Sequence, residues 1–373
     1  MASRGSKGIV TELLAHAGIV IAGNNPWDLK VNDERVFDRV LKEGPLGLGE
    51  TYMEGWWDVE RVDEFLYRIH RAPLRQYARR NWRFYLFALP HLLFNFQRRS
   101  KAKEVALVHY DRGNDLFKAM LDKRMAYSCG FWKDVSTLQE AQEAKLDLVC
   151  RKLSLEPGMK VLDIGCGFGS FAKFAAEKYG VTVVGVTNSE QQATLARKLC
   201  EGLSIEIRLQ DYRDVSGTYD HIVSIAMFEA VGHNNFRTYM KIVHDHLNDN
   251  GLFLLHTIGG NFTRFSGDAW TEKYIFPNGM IPSIKQIGTA IEKLFVMEDW
   301  HSFGTDYDKT LMAWFHNFDA AWQDLKGKYG ERFYRMWTYY LLSFASSFRA
   351  RELLLWQIVL SKNGVPGGYT SVR

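Results

Sequence analysis

In VLDIGCGFGS (161–170) an acid, Asp163, closes an apolar run and is followed at two-residue steps by Gly165, Gly167 and Gly169. Glycines so spaced permit a tight strand-to-helix turn and let a ligand lie against bare backbone at a helix N-terminus. Such a turn by itself fits a dinucleotide, S-adenosylmethionine or a structural role. A dinucleotide site seats its pyrophosphate with G-x-G-x-x-G and has no acid two residues before the first glycine. The order here is D-x-G-x-G-x-G, which sets a carboxylate where an anion is repelled and a cation welcomed. The pattern favours a sulfonium cofactor.

Further polar groups end other apolar runs: Thr187, Asp211 with Tyr212, Glu229 after SIAMF, and His256 in LLHTIG. Each alone fits a cap or a turn. Together they are costly to bury without a purpose and imply one shared site. Cys129 lies among aromatics in YSCGFW (127–132), which fits either core filling or the wall of a reaction chamber. Cys129, Cys150, Cys166 and Cys200 form no C-x-x-C pair, so reduced thiols are expected. A zinc site of Cys129, Glu229 and His256 lacks a local ligand pair, and no metal is expected.

The elements that must position these groups begin near residue 155. Strands are predicted at 159–165, 181–186, 205–210, 219–225, 251–258, 295–303 and 354–361, with helices in most gaps. Near-continuous apolar strands separated by helices imply an α/β fold with a mostly parallel sheet covered on both faces. Residues 259–290 exceed a normal connection and predict a lid or site-forming insertion. Upstream, 1–105 reads as helices broken at Gly23–Pro26, at EGPLGLG (43–49) and at Pro73. The spacing of Ile9, Leu13, Leu14, Ala17 and Val20 fits an amphipathic helix better than a secretion signal.

The chain has 373 residues, enough for two domains, and a formal charge of only +4. Residues 61–105 nevertheless hold eleven Lys or Arg against three acids. WRFYLFALPHLLFNFQRRSK (82–101) turns from aromatic to basic, a pattern shared by interfacial and core helices. Such a surface meets nucleic acid or anionic lipid, or is a solvated face. No run approaches the roughly 18 apolar residues needed to span a bilayer.

HYDRGNDLFKAMLDKRMAYSCGFW (109–132), VLDIGCGFGS, LQDYRD (209–214), SIAMFEAVG (224–232), LLHTIGG (254–260), YIFPNG (274–279) and GTDYDKTLMAW (304–314) together resemble the bacterial cyclopropane fatty acid synthases. The likeness runs from about residue 10 to about 362 and includes GLGETYMEGWW (47–57). It implies a class I S-adenosylmethionine-dependent methyltransferase fold, a Rossmann-like seven-stranded sheet, with a helical amino-terminal domain over 1–105 that meets membrane or substrate. The catalytic domain would be 106–373, with its lid at 259–290. Members move a methyl carbon from S-adenosylmethionine to a cis double bond of a phospholipid acyl chain, then remove a proton to close the ring.

The resemblance further implies a bicarbonate ion caged by Cys129, Glu229, His256, Tyr307 and backbone near Ile258. The cofactor would touch Tyr127, Ser128, Asp163, Gly165, Gly167, Gly169, Thr187, Gln192, Tyr212 and Arg213. Partners would be a phospholipid bilayer and a second copy, not nucleic acid, with the protein cytoplasmic and peripheral to the membrane. Family members commonly carry a histidine after the glutamate, whereas this chain has Ala230.

An alkene is a poor nucleophile, so it must be held in line with the sulfonium in a dry pocket. Aromatic faces can steady the positive charge that then forms, at about 0.5–2 kcal/mol each. Tyr127, Phe131, Trp132, Phe276 and Tyr307 are candidates for that wall. Alternatives are an acyl C-methyltransferase giving a branched or methylene product, and a non-catalytic lipid-binding protein.

Overall fold

The computed structural model describes residues 5–73 and 114–373, which fall into two compact units. One takes the chain up to His109 together with Asp268–Pro277 and Trp314–Glu352. The other is built from Tyr110–Gly267, Asn278–Ala313 and Leu353–Arg373. Among the described residues no helix is long and apolar enough to cross a membrane.

The first unit is helical, apart from a two-residue antiparallel pairing of β1 (Lys30–Val31) with β2 (Trp57–Asp58). Its amino-terminal helix, Ser6–His16, buries Val10 and Leu14, while Val20 beyond it is exposed. The break predicted at 43–49 is confined to Gly44, and a helix runs Pro45–Met53 straight through Gly47 and Gly49. Packing overrides propensity at those two glycines. A Cβ at Gly49 would lie 2.4 Å from the Trp270 ring, and one at Gly47 would lie 2.6 Å from the Arg39 carbonyl oxygen.

Glu331–Arg349, the long helix of this unit, buries Trp337, Tyr340, Leu341 and Phe348. Its end is tied to the helix Val62–Arg71 by Arg349, which bonds Asp63 at 2.8 Å. Burial opposes the Asp63 charge, but Arg61 and Arg349 outweigh it and hold the carboxyl at about 2. Buried Glu50 accepts from Arg39, Lys273 and, at 2.7 Å, the Tyr274 hydroxyl. The segment 82–101 and most of the basic residues between 61 and 105 lie outside the described residues.

The second unit holds the sheet: β3 (Lys160–Ile164), β4 (Thr182–Thr187), β5 (Ile205–Leu209), β6 (Tyr219–Ile225), β7 (Leu247–Gly259), β8 (Val296–Ser302) and β9 (Leu354–Ser361), in the order β5-β4-β3-β6-β7-β9-β8. All seven strands occur where the sequence predicts them, and β7 starts four residues earlier. The first five in that order run parallel, and β9 lies antiparallel to both β7 and β8. Alternate residues serve opposite faces. Leu162, Val184, Ile222 and Phe253 meet Tyr239, Met240 and Ile287 on one side, and Val161, Val183, Val223 and Leu254 meet Leu146, Phe171 and Phe174 on the other. Strand order reverses at β3, and sheets of this kind take their ligands in the crevice beyond the carboxyl ends of the strands there.

Candidate active site

The crevice is floored by the glycine turn. Gly165, Gly167 and Gly169 have φ of +81°, +55° and +79° before the helix Ser170–Tyr179. A Cβ on Gly165 would lie 2.6 Å from Met227, whereas one on Gly167 would meet no protein atom within 4 Å. The turn therefore fits tightly on its protein side and leaves open room at Gly167.

Asp163 is 2% exposed, and its Oδ2 has no hydrogen-bond partner among the described residues. Burial lifts its carboxyl to about 7, against the opposing charge of Lys145. Lys145 is itself fully buried, which drops its ammonium to about 8 despite nearby Asp122, Cys129 and Asp163. Its Nζ donates to Ser128 Oγ at 2.9 Å, and Gln142 donates to the Ser128 carbonyl at 2.7 Å. Both come from the helix Leu138–Lys152, whose Thr137–Glu140 capping box fixes its start. That helix thus holds Ser128 by backbone and hydroxyl, and through Lys145 its charge reaches Asp163. Sequence reasoning missed Lys145, although its three- and four-residue spacing from buried Ala141, Gln142, Leu148 and Val149 places it on the inner face.

At the end of β4, Thr187 donates to Gln192 Oε1 at 2.9 Å, so these two predicted residues meet directly. After β5, Asp211 accepts twice from Arg213, at 2.8 and 2.7 Å, and these bonds hold its carboxyl at about 2. Tyr212 packs edge-on to buried Tyr239, ring centres 5.1 Å apart, while the Arg213 side chain stays exposed. Tyr127 packs edge-on to Phe117, which in turn meets Phe168 of the glycine turn.

Glu229 stands on the short turn Phe228–Ala230 after β6, where Ala226 adopts a left-handed φ of +55°. Its Oε1 accepts the Ile258 amide at 2.6 Å, and Oε2 is buried with no partner among the described residues. Burial raises this carboxyl to about 7, in opposition to the Ile258 amide. His256 is fully buried, which depresses its basicity well below the usual imidazole value. Its Nδ1 lies 3.2 Å from the Gln357 amide nitrogen. With that amide donating, Nδ1 is the bare nitrogen and Nε2 carries the hydrogen, facing no partner among the described residues. Ala230 is exposed, so a histidine there would start from an exposed position.

Cys129 is fully buried, and burial followed by the charge of Asp306 drives its thiol well above its ordinary value. The thiol donates to the Gly130 carbonyl at 3.1 Å. Gly130 and Trp132 are pinned by Thr310 and Asp306 on the helix Thr305–Ala320, the helix that carries Tyr307. Phe303 links the two halves of the site, its ring centre 6.0 Å from His256 and 5.3 Å from Phe131. Phe276 belongs instead to the helical unit, packed on Tyr340 and Phe344.

Buried polar atoms are almost always bonded. Asp163 Oδ2, Glu229 Oε2, His256 Nε2 and Gln357 Oε1 all lack protein partners among the described residues. The donor set suits a cation beside Asp163 and a small oxyanion beside His256.

A family model described as mycolic acid cyclopropane synthetase matches residues 97–358. The chain is also 51% identical over 365 residues to the cyclopropane-fatty-acyl-phospholipid synthase of Escherichia coli K12, covering 98% of this chain and 95% of that one. The chain belongs to this family. A further family relative, cyclopropane mycolic acid synthase 2 of Mycobacterium leprae, is 35% identical over 69% of this chain and 94% of its own. The crystal structure of mycolic acid cyclopropane synthase CmaA1 complexed with SAH and CTAB matches 70% of this chain and 98% of its own, with 33% identity and a TM-score of 0.65. The family fold is that of the class I S-adenosylmethionine-dependent methyltransferases, and this family member is an S-adenosylmethionine-dependent transferase.

Proposed function

We propose that this synthase moves the methyl carbon of S-adenosylmethionine to a cis double bond of a membrane phospholipid acyl chain and removes a proton to close a cyclopropane ring. One observation carries the reading. The carboxyl of Glu229 and the imidazole of His256, at the neighbouring ends of β6 and β7, each keep a buried atom without a partner among the described residues.

Bound S-adenosylmethionine supplies an electrophilic methyl group. Gly165, Gly167 and Gly169 give it bare backbone, Asp163 offers a carboxylate to its cationic part, and Ser128, held by Lys145, directs its hydroxyl inward. Tyr127, Thr187, Gln192, Tyr212 and Arg213 complete the contacts the resemblance implies. Bicarbonate would supply a small base; His256 donates Nε2–H to it, and Glu229 shares a proton with it. Ile258 acts through its amide, which orients Glu229. Cys129, a neutral thiol, forms wall together with Tyr307.

The remaining readings belong to the whole enzyme: a bicarbonate-loaded dimer bound peripherally at the cytoplasmic membrane face, with the amino-terminal domain on the lipid and 259–290 as lid. The charge of residues 61–105 supports the lipid contact. Mass spectrometry of membrane lipids, after expression in a host lacking such an enzyme, tests the reaction. A gain of one CH2 with loss of alkene reactivity is expected. The same gain with an alkene retained, or a gain of CH2 plus two hydrogens in a branched saturated chain, would overturn ring closure.

A further inference from the structure

Large apolar side chains on a soluble surface are informative when they gather. Among the described residues Phe262 is 73% exposed, Phe265 70% and Ile284 50%. They are neighbours: Thr263 and Ser283 bond through their hydroxyls at 2.9 Å, and Gln286 donates to the Arg264 carbonyl at 3.3 Å. These bonds give the loop a defined shape, and the Phe265 ring stands edge-on to His233 at 5.2 Å. Arg264 and Lys285 interleave with the apolar residues, both exposed, and neither forms an ion pair with a described residue. The patch is rooted in the site. Its loop leaves β7 only a few residues past His256 and Ile258, and the Met280 amide at its other end donates to the Glu229 carbonyl at 2.8 Å.

We propose that the loop 261–267, with Ile284 and Lys285 beside it, is a bilayer-insertion finger of the catalytic unit. Phe262, Phe265 and Ile284 enter the acyl region while Arg264 and Lys285 meet anionic head groups. Aromatic and aliphatic tips alternating with unpaired cations are the composition that partitions into an anionic interface. The finger would open the bilayer next to the strand that carries His256. The inference rests on the reading of this enzyme as one that acts on membrane lipid, and it is separate from the basic segment 61–105.

Flotation of the full chain with vesicles of unsaturated phosphatidylglycerol and phosphatidylethanolamine tests it. The double variant Phe262→Ser/Phe265→Ser is expected to lower partitioning by about tenfold or more. Arg264→Glu/Lys285→Glu should weaken binding to these vesicles while leaving binding to pure phosphatidylcholine unchanged. Thermal unfolding and calorimetric S-adenosylhomocysteine binding should stay at wild-type values in both. Because Cys129, Cys150, Cys166 and Cys200 are all buried, a polarity-sensitive dye on Phe262→Cys should report an apolar environment when vesicles are added. Unchanged partitioning would overturn the proposal. So would unchanged partitioning with a fall in oligomer size, which would assign the patch to a second copy. Partitioning is read without turnover, so loop-dependent binding by an enzyme that makes no ring defeats the functional reading alone. Ring formation with loop-independent binding defeats only this inference.

Discussion

Burial, followed by the charge of Asp306, holds the Cys129 thiol neutral, whereas Glu229 sits poised to exchange a proton at about 7. Their variants should therefore rank unequally. Cys129→Ser is expected to keep kcat within about tenfold, while Glu229→Gln loses about 10²- to 10⁴-fold, the usual span for a positioned acid or base. A phospholipid assay with both variants checks the order. Because the Glu229 carboxylate fills as pH rises through about 7, wild-type kcat should climb between about pH 6 and pH 8. Asp163 gives a second titration, read in stability. Its folded value, about 7, lies above the ordinary 3.8, so its contribution is present below about pH 4 and lost as pH rises through about 7. Urea melts of ligand-free wild type and Asp163→Asn should diverge over that window, with the variant gaining on wild type toward pH 8. S-adenosylmethionine should close the gap by favouring the ionised carboxyl, and a constant difference across pH would refute the buried-acid assignment.

The glycine turn makes the next prediction, one about an element rather than a side chain. Gly165→Ala faces both a positive φ and a Met227 contact at 2.6 Å, so the strand-to-helix junction itself must shift. Gly167→Ala faces a positive φ but no protein neighbour within 4 Å. It should cost about 1–2 kcal/mol of stability, the left-handed penalty alone, yet weaken S-adenosylhomocysteine binding at least tenfold because the new methyl occupies ligand space. Calorimetry with thermal unfolding separates the two effects. The strands around this turn were legible because each is apolar on both faces and bounded by turn residues. The early start of β7 was not, since Asn248, Asp249 and Asn250 are poor strand formers that lie in the register shift between the Tyr219–Leu247 and His221–Leu252 pairs. Nor was the helix through Gly47 and Gly49, whose reason is the distant Trp270 ring.

For the whole molecule, the polar residues that end apolar strands were legible in the sequence and the groups that bond them were not. Glu229 and His256 announced themselves as polar endings of apolar strands. Lys145 and Gln357 did not: helical spacing sets Lys145 on an inner face, but what a buried lysine or glutamine does is recognised only by what it touches. The same limit hides the make-up of the helical unit. Residues 1–105 read as one domain, yet Asp268–Pro277 and Trp314–Glu352 pack with them. Arg349 bonds Asp63 at 2.8 Å and Arg335 bonds Asp58 at 2.8 Å. Glu50 takes Lys273 and Tyr274. A fragment starting at residue 106 would leave the cations Arg335 and Arg349 without these acids and expose the ring face of Tyr339, which packs on Tyr52 at 5.7 Å. These cations would meet water once uncovered, so the larger loss is apolar: each large side chain uncovered on the helix Glu331–Arg349 gives up about 1.5–3 kcal/mol, and one such loss is a large part of a domain's net stability. The fragment is therefore expected to aggregate, whereas the same fragment mixed during refolding with residues 1–105 should recover a soluble complex. Size-exclusion chromatography of both preparations decides it, and a soluble, monodisperse fragment on its own would show that the sheet unit holds the two later segments without the amino-terminal helices.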